Sequence, residues 1–332
     1  MRALVLENPS PIEDRPLRLV DLPRPEAGRG QLLVRVHMCG VCHTDLHEAE
    51  GDIALPRRPI IPGHQIVGTV EGCGRGVRGF RLGERVGIAW LHQTCGRCGA
   101  CRRQRENLCA EARFTGLHAD GGYAEYTVVP AAFAYRLPER FPDEQAAPLL
   151  CAGIIGFRAF GRSGARPGDR LGLYGFGASA HVTIQVARHR GCEVHVVTRR
   201  PEHQEHARRL GAAWVGGAGA RPPAPLQAAI VFAPAGKLVP EVLEALAPGG
   251  TCALAGIHMT GIPPLDYARH LYLEKTLTSV TAATRRDGRD LLALAAAIPI
   301  RTDVETFPLE QANEVLARVK ESAIRGAAVL RV

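Results

Sequence analysis

Aromatic side chains are scarce in this chain of 332 residues: two Trp, six Tyr and nine Phe, with only three Met. Stacking platforms for nucleobases need such rings beside basic runs, and none occurs here. The net charge of +8 would attract anions, but Arg far outnumbers Lys and is scattered among Glu rather than gathered into a stripe. No nucleic-acid partner is therefore expected. No apolar run approaches the roughly 20 residues a membrane-spanning helix needs. Met1–Leu6 reads as a first strand, without the apolar core and cleavage site of a signal peptide. No membrane partner is expected, and the expected location is cytoplasmic. Heptads and internal repeats are absent too. Cysteine is not: there are ten. In a reducing compartment, clustered thiols point to metal rather than to disulfides.

The densest chemistry lies in Cys39-Gly40-Val41-Cys42-His43-Thr44-Asp45-Leu46-His47, which joins thiols, imidazoles, a hydroxyl and a carboxylate. Sulfur and imidazole are zinc's preferred ligands, yet a lone C-x-x-C pair suits a redox dithiol equally well. A second cluster is more specific. Cys95, Cys98 and Cys101, followed after seven intervening residues by Cys109, supply four thiolates in a Gly-rich loop and can close a tetrahedral shell around Zn²⁺. A closed shell leaves no position for substrate, so that site is structural. Three further candidates, Cys42, His64 in Pro62-Gly63-His64 and Cys151 in Leu150-Cys151-Ala152, leave zinc's fourth position open, the arrangement of a catalytic site. Around them, to about residue 136, run short β-branched segments divided by Gly and Pro. Examples are Gln31–Val36, Ile66–Val70 and Ala124–Val129, a pattern that suggests a small β-barrel.

The second half alternates strands and helices. Arg170–Tyr174 reads as a buried strand and His181–Arg190 as a helix, with Gly175-Phe176-Gly177-Ala178-Ser179-Ala180 between them. That is the G-x-G-x-x-G/A turn, whose glycines and helix N-terminus receive a pyrophosphate. The next strand, Glu193–Val197, ends in Thr198-Arg199-Arg200 rather than in the acidic residue that accepts from a ribose 2′-hydroxyl. A hydroxyl and two guanidinium groups match a 2′-phosphate, so NADP(H) is expected over NAD(H), with NAD(H) still admissible. The α/β alternation predicts a doubly wound parallel sheet over residues 153–282. Residues 283–332 are expected to return to the first domain, residues 1–152.

Taken together, Cys42-His43-Thr44-Asp45-Leu46-His47, Gly63-His64, the four-Cys lobe, Leu149–Gly153 and Gly175-Phe176-Gly177 resemble the zinc-dependent alcohol dehydrogenases of the medium-chain dehydrogenase/reductase superfamily. The resemblance spans nearly the whole chain. It implies a GroES-like barrel plus a Rossmann domain, two Zn²⁺ per chain, and hydride transfer between a nicotinamide and a small alcohol or aldehyde. It also implies a homodimer or homotetramer. Carried over by position, Cys42, His64 and Cys151 hold the catalytic ion and Cys95, Cys98, Cys101 and Cys109 the structural one. Thr44 touches the reacting oxygen, His47 ends a proton relay, Asp45 orients a ligand, and His43 meets a cofactor phosphate. Gly175, Gly177, Ala178, Thr198, Arg199 and Arg200 line the nucleotide, and Trp90 is either a wall of the substrate pocket or a core residue. Another hydroxyl substrate, such as a polyol, or a non-catalytic relative with the same fold would share many of these marks. Three departures stand out: Gln65 replaces the Glu that usually follows the ligand His, Ile155 replaces a hydroxyl residue, and Gly326-Ala327 replaces a Gly-Arg pair. Cys39, Cys73, Cys192 and Cys252 have no assigned role and are expected to be core thiols.

Overall fold

A long strand with two bends shapes the first part of the molecule. In the computed structural model, which describes all 332 residues, Gln31–Val41 continues five residues past the expected end. Register shifts between Leu33 and Val34 and between Val36 and Met38 mark irregularities of the bulge type, which bend a strand and increase its twist. Its two ends consequently find different partners on one edge. Gln31–Arg35 pair with Tyr126–Pro130, and Met38–Val41 with Ala327–Arg331 near the C-terminus. On the other edge it pairs with Gln65–Cys73 along most of its length. The resulting seven-stranded sheet runs Val304–Pro308, Ala327–Arg331, Gln31–Val41, Gln65–Cys73, Arg85–Ile88, Ala134–Arg136, with Tyr126–Pro130 beside the central strand. Its apolar core includes Leu32, Val34, Ile66, Val70, Val86 and Val129. Residues Met1–Cys151 and Ala282–Val332 form this compact unit.

The second compact unit, Ala152–Thr281, is built on a six-stranded parallel sheet. Its order is Trp214–Gly216, Glu193–Val197, Arg170–Tyr174, Leu226–Val231, Leu246–Leu254, Thr276–Ser279, so the first strand in sequence lies inside and the chain winds outward from it in both directions. That is the doubly wound Rossmann order. Alternation along Arg170–Tyr174 divides the packing: Leu171 and Leu173 join Ile184 and Val196 in one cluster, while Tyr174 joins Val231, Val242 and Leu243 in another.

One expectation fails here. Cys39, Cys192 and Cys252 are buried, but Cys73 is exposed at the end of its strand, where the chain leaves the sheet through Gly74-Arg75-Gly76. No helix of the chain is long and apolar enough to cross a membrane.

Candidate metal centres and nucleotide site

Cys42 is where the long strand stops and the helix His43–Glu50 starts. It is the N-cap: its Sγ accepts from the Thr44 N–H at 3.4 Å and its own N–H donates to Asp45 Oδ2 at 2.8 Å. This capping box uses a thiol where Ser or Thr usually stands, and it fixes the sulfur at the helix N-terminus. Asp45, fully buried, has a second task. Its Oδ1 lies 3.2 Å from His64 Nδ1, an ion-pair contact in which neither atom completes a well-aligned hydrogen bond. One carboxylate thus holds both a thiol-bearing backbone and an imidazole. The other ring nitrogen, His64 Nε2, lies 3.4 Å from Cys42 Sγ.

His64 is placed by a clamp of backbone on backbone. The Gly121 N–H donates to Ile61 O, Gly122 to Gly63 O and Tyr123 to Pro62 O, at 2.7, 2.9 and 3.0 Å. Close approach demands glycine: a Cβ on Gly121 would lie 2.1 Å from Gly63 O. Cys151 arrives from the other direction, directly after the single-turn helix Ala147–Leu150, whose four residues are all buried.

Cys42, His64 and Cys151 therefore converge, with their ligand atoms all within 4.8 Å of one another. Zinc–sulfur and zinc–nitrogen bonds of about 2.3 and 2.0–2.1 Å put tetrahedral S···S and S···N edges at roughly 3.8 and 3.5 Å. The observed 3.4 Å fits. Electrostatics point the same way. The neighbouring Cys151 thiol and burial push the Cys42 thiol well above its usual range. Burial opposes a charge on His64, but Asp45 and Cys42 override it and raise the imidazole pKa strongly. Two thiols and an imidazole beside a buried carboxylate are a donor set for a metal cation, which on Nε2 would take the place of that proton.

The four cysteines of the Cys95–Cys109 lobe also lie together. Cys95 Sγ lies 3.9 Å from Cys101 Sγ and 3.5 Å from Cys109 Sγ, and the Cys98 N–H donates to Cys95 Sγ at 3.3 Å. All four sulfurs lie within 4.8 Å of one another, with Gly96 at φ +70° allowing the turn. Trp90 is half-buried; its ring stacks on Phe114 at 4.1 Å and lies 6.2 Å from that of His64. Nothing in its sequence context singles out Phe114. Asp52 was also missed: its Oδ2 lies 2.8 Å from His47 Nδ1. The signal was available, since Gly51 (φ +85°) ends the helix and turns the chain back beside His47.

In the second unit, Gly175 (φ +93°) makes the tight turn, and a Cβ there would meet Ala233 N at 2.9 Å. Nothing lies within 4 Å of a Cβ on Gly177, so its face is open to a ligand. The helix Ala178–His189 begins there with no side chain capping its first amides, which suits an anion. Thr198 is buried, whereas Arg199 and Arg200 are exposed. Ile155 is half-buried, and the Arg325 N–H donates to Glu305 at 2.8 Å.

Known proteins resemble this chain in sequence and in fold. The family profile of the alcohol dehydrogenase GroES-like domain matches residues 28–139, and that of the zinc-binding dehydrogenases matches residues 180–297. A probable alcohol dehydrogenase of Mycobacterium tuberculosis, AdhA, is 50% identical over 100% of this chain and 97% of its own. An alcohol dehydrogenase of Geobacillus stearothermophilus is 36% identical over the whole of both chains. The thermostable alcohol dehydrogenase of Pyrobaculum aerophilum superposes with a TM-score of 0.91 at 26% identity, covering 100% of this chain and 99% of that one.

Proposed function

The chain belongs to the zinc-type alcohol dehydrogenases of the medium-chain dehydrogenase/reductase superfamily, and from that membership we propose the work of its individual residues. Cys42, His64 and Cys151 hold a catalytic zinc, and Cys95, Cys98, Cys101 and Cys109 a structural one, two per chain. The observation that carries this reading is the convergence of two thiols and one imidazole, steadied by Asp45, on ligand atoms within 4.8 Å. Bound there, zinc supplies a Lewis acid that polarises a carbonyl or lowers the pKa of a hydroxyl, for exchange of hydride with a nicotinamide.

The protein's own part is positioning and proton transfer. Thr44, on the first turn of its helix, faces the reacting oxygen and hands its proton on. His47 receives it. With Asp52 accepting from Nδ1, the basic nitrogen of His47 is Nε2, and the half-exposed carboxylate links the ring to solvent. His43 and the amides that follow Gly175 and Gly177, beginning at Ala178, bind the cofactor's phosphates. Thr198, Arg199 and Arg200 bind a 2′-phosphate, so NADP(H) is preferred. Trp90 and Phe114 form a flat wall that suits unbranched or aromatic alcohols and aldehydes. A homodimer is supported by the sheet edge Thr276–Ser279, which lies close in sequence to the exposed Tyr267, Tyr272 and Leu273.

Reduction of aldehydes of rising chain length with NADPH and with NADH, on protein of known zinc content, tests the whole reading. Thr198→Asp with Arg199→Gly should turn the preference toward NADH by at least tenfold. Unchanged selectivity would refute the phosphate pocket, and a chain that keeps its full zinc after Cys42→Ser would refute the metal centre.

A further inference from the structure

Glu48 is a carboxylate with no visible reason to be buried. It sits on the helix His43–Glu50 with 0% exposure, and neither of its side-chain oxygens has a hydrogen-bond partner. No Lys or Arg pairs with it, and the charged groups it feels most are Asp45 and His64. Being three residues from Asp45, it lies on the same helical face, one turn further in. Tyr123 is equally buried, and its hydroxyl also lacks a partner. An unpaired carboxylate in such a place is unfavourable, whether it keeps its charge or takes up a proton.

The residue that follows His64 is neutral. Gln65 is buried and pressed against Gly40, where an added Cβ would come within 2.9 Å of its side chain, and its Nε2 has no partner. Against the two carboxylates of Asp45 and Glu48 the protein sets one cationic group, the His64 imidazole, and so falls one charge short of a match.

We propose that Glu48 is a positioning residue for the metal centre, supplying from the helix the buried negative charge that Gln65 does not supply from the strand. The inference rests on the reading of Cys42, His64 and Cys151 as zinc ligands and extends it. The charge favours retention of the cation, and outer groups of this kind change metal affinity by about 10- to 100-fold.

The test compares zinc release to 4-(2-pyridylazo)resorcinol, and melting with and without EDTA, in the parent, Glu48→Gln and Glu48→Gln/Gln65→Glu proteins. Glu48→Gln should release one of the two zinc ions about 10- to 100-fold faster. It should melt lower than the parent when loaded but higher when stripped, because the unpaired carboxylate is then only a burden. The double variant should return release to within about threefold of the parent. Parent-like release from Glu48→Gln, a fall in melting temperature in both states, or no rescue by Gln65→Glu would each overturn the proposal. Failure of the underlying ligand assignment reads differently: Cys42→Ser would leave the zinc content unchanged, whatever Glu48 does.

Discussion

Replacing Gly63 by Ala tests how tightly the metal centre is built. Gly63 has φ +93°, and a Cβ there would stand 2.4 Å from Cδ1 and 2.7 Å from Cε1 of Tyr123, and 2.9 Å from Cys39 Sγ. The Tyr123 ring is fully buried, and its backbone is tied to Pro62 O, so it has nowhere to swing. Two costs add. A side chain in left-handed backbone costs about 1–2 kcal/mol. Forcing a methyl into a filled core adds about 1–3 kcal/mol. A total of about 2–5 kcal/mol corresponds to a fall in melting temperature of about 4–20 °C for a domain of this size. Gly76 provides the control: φ is +86° but nothing lies within 4 Å of an added Cβ, so Gly76→Ala carries the backbone cost alone. Both are measured by calorimetry, with zinc counted by atomic absorption. Gly63→Ala should also lose zinc from the three-ligand site, since His64 is the next residue. A Gly63→Ala protein that melts with the Gly76→Ala control and keeps its zinc would refute the packing argument.

Three further outcomes are expected. After zinc is stripped, iodoacetamide at pH 7 should label Cys98 first: the Cys101 N–H, offsetting burial, and the neighbouring thiols lower its pKa to about 6. The thiolate is present above that pH and lost below it, so the labelling midpoint should fall near 6; a midpoint near 8.5, the free-thiol value, would contradict it. Gly177→Ala should leave the melting temperature unchanged in calorimetry, because its Cβ would meet nothing, yet weaken cofactor binding at least tenfold, read by titration of nucleotide fluorescence, by occupying the open face. Asp52→Asn should lower steady-state alcohol oxidation by roughly tenfold with cofactor affinity unchanged, as removal of a proton-relay partner requires. Parent-like turnover would remove Asp52 from the relay.

Much of this molecule was readable from residue order, because local chemistry speaks locally. Four cysteines within fifteen positions must lie near one another, and Gly175-Phe176-Gly177 between a strand and a helix has few other uses. The element boundaries were less legible. The strand from Gln31 looked finished at Val36, since its extension depends on Ala327–Arg331, nearly three hundred residues away. Cys73 read as a core thiol because its position at a sheet end is a matter of register rather than of composition.

What the sequence determined alone was the inventory: which thiols and imidazoles can bind a metal, which turn can receive a phosphate, and that no carboxylate follows His64. What tertiary structure decided was adjacency. Cys42 and Cys151 are more than a hundred residues apart, and only the folding of the barrel unit brings both sulfurs to one imidazole. The same packing buries Glu48, a residue that from sequence alone would pass for the solvated side of a short polar helix. Helical periodicity is weak over eight residues, so burial there is set by what packs against the helix, not by its own pattern.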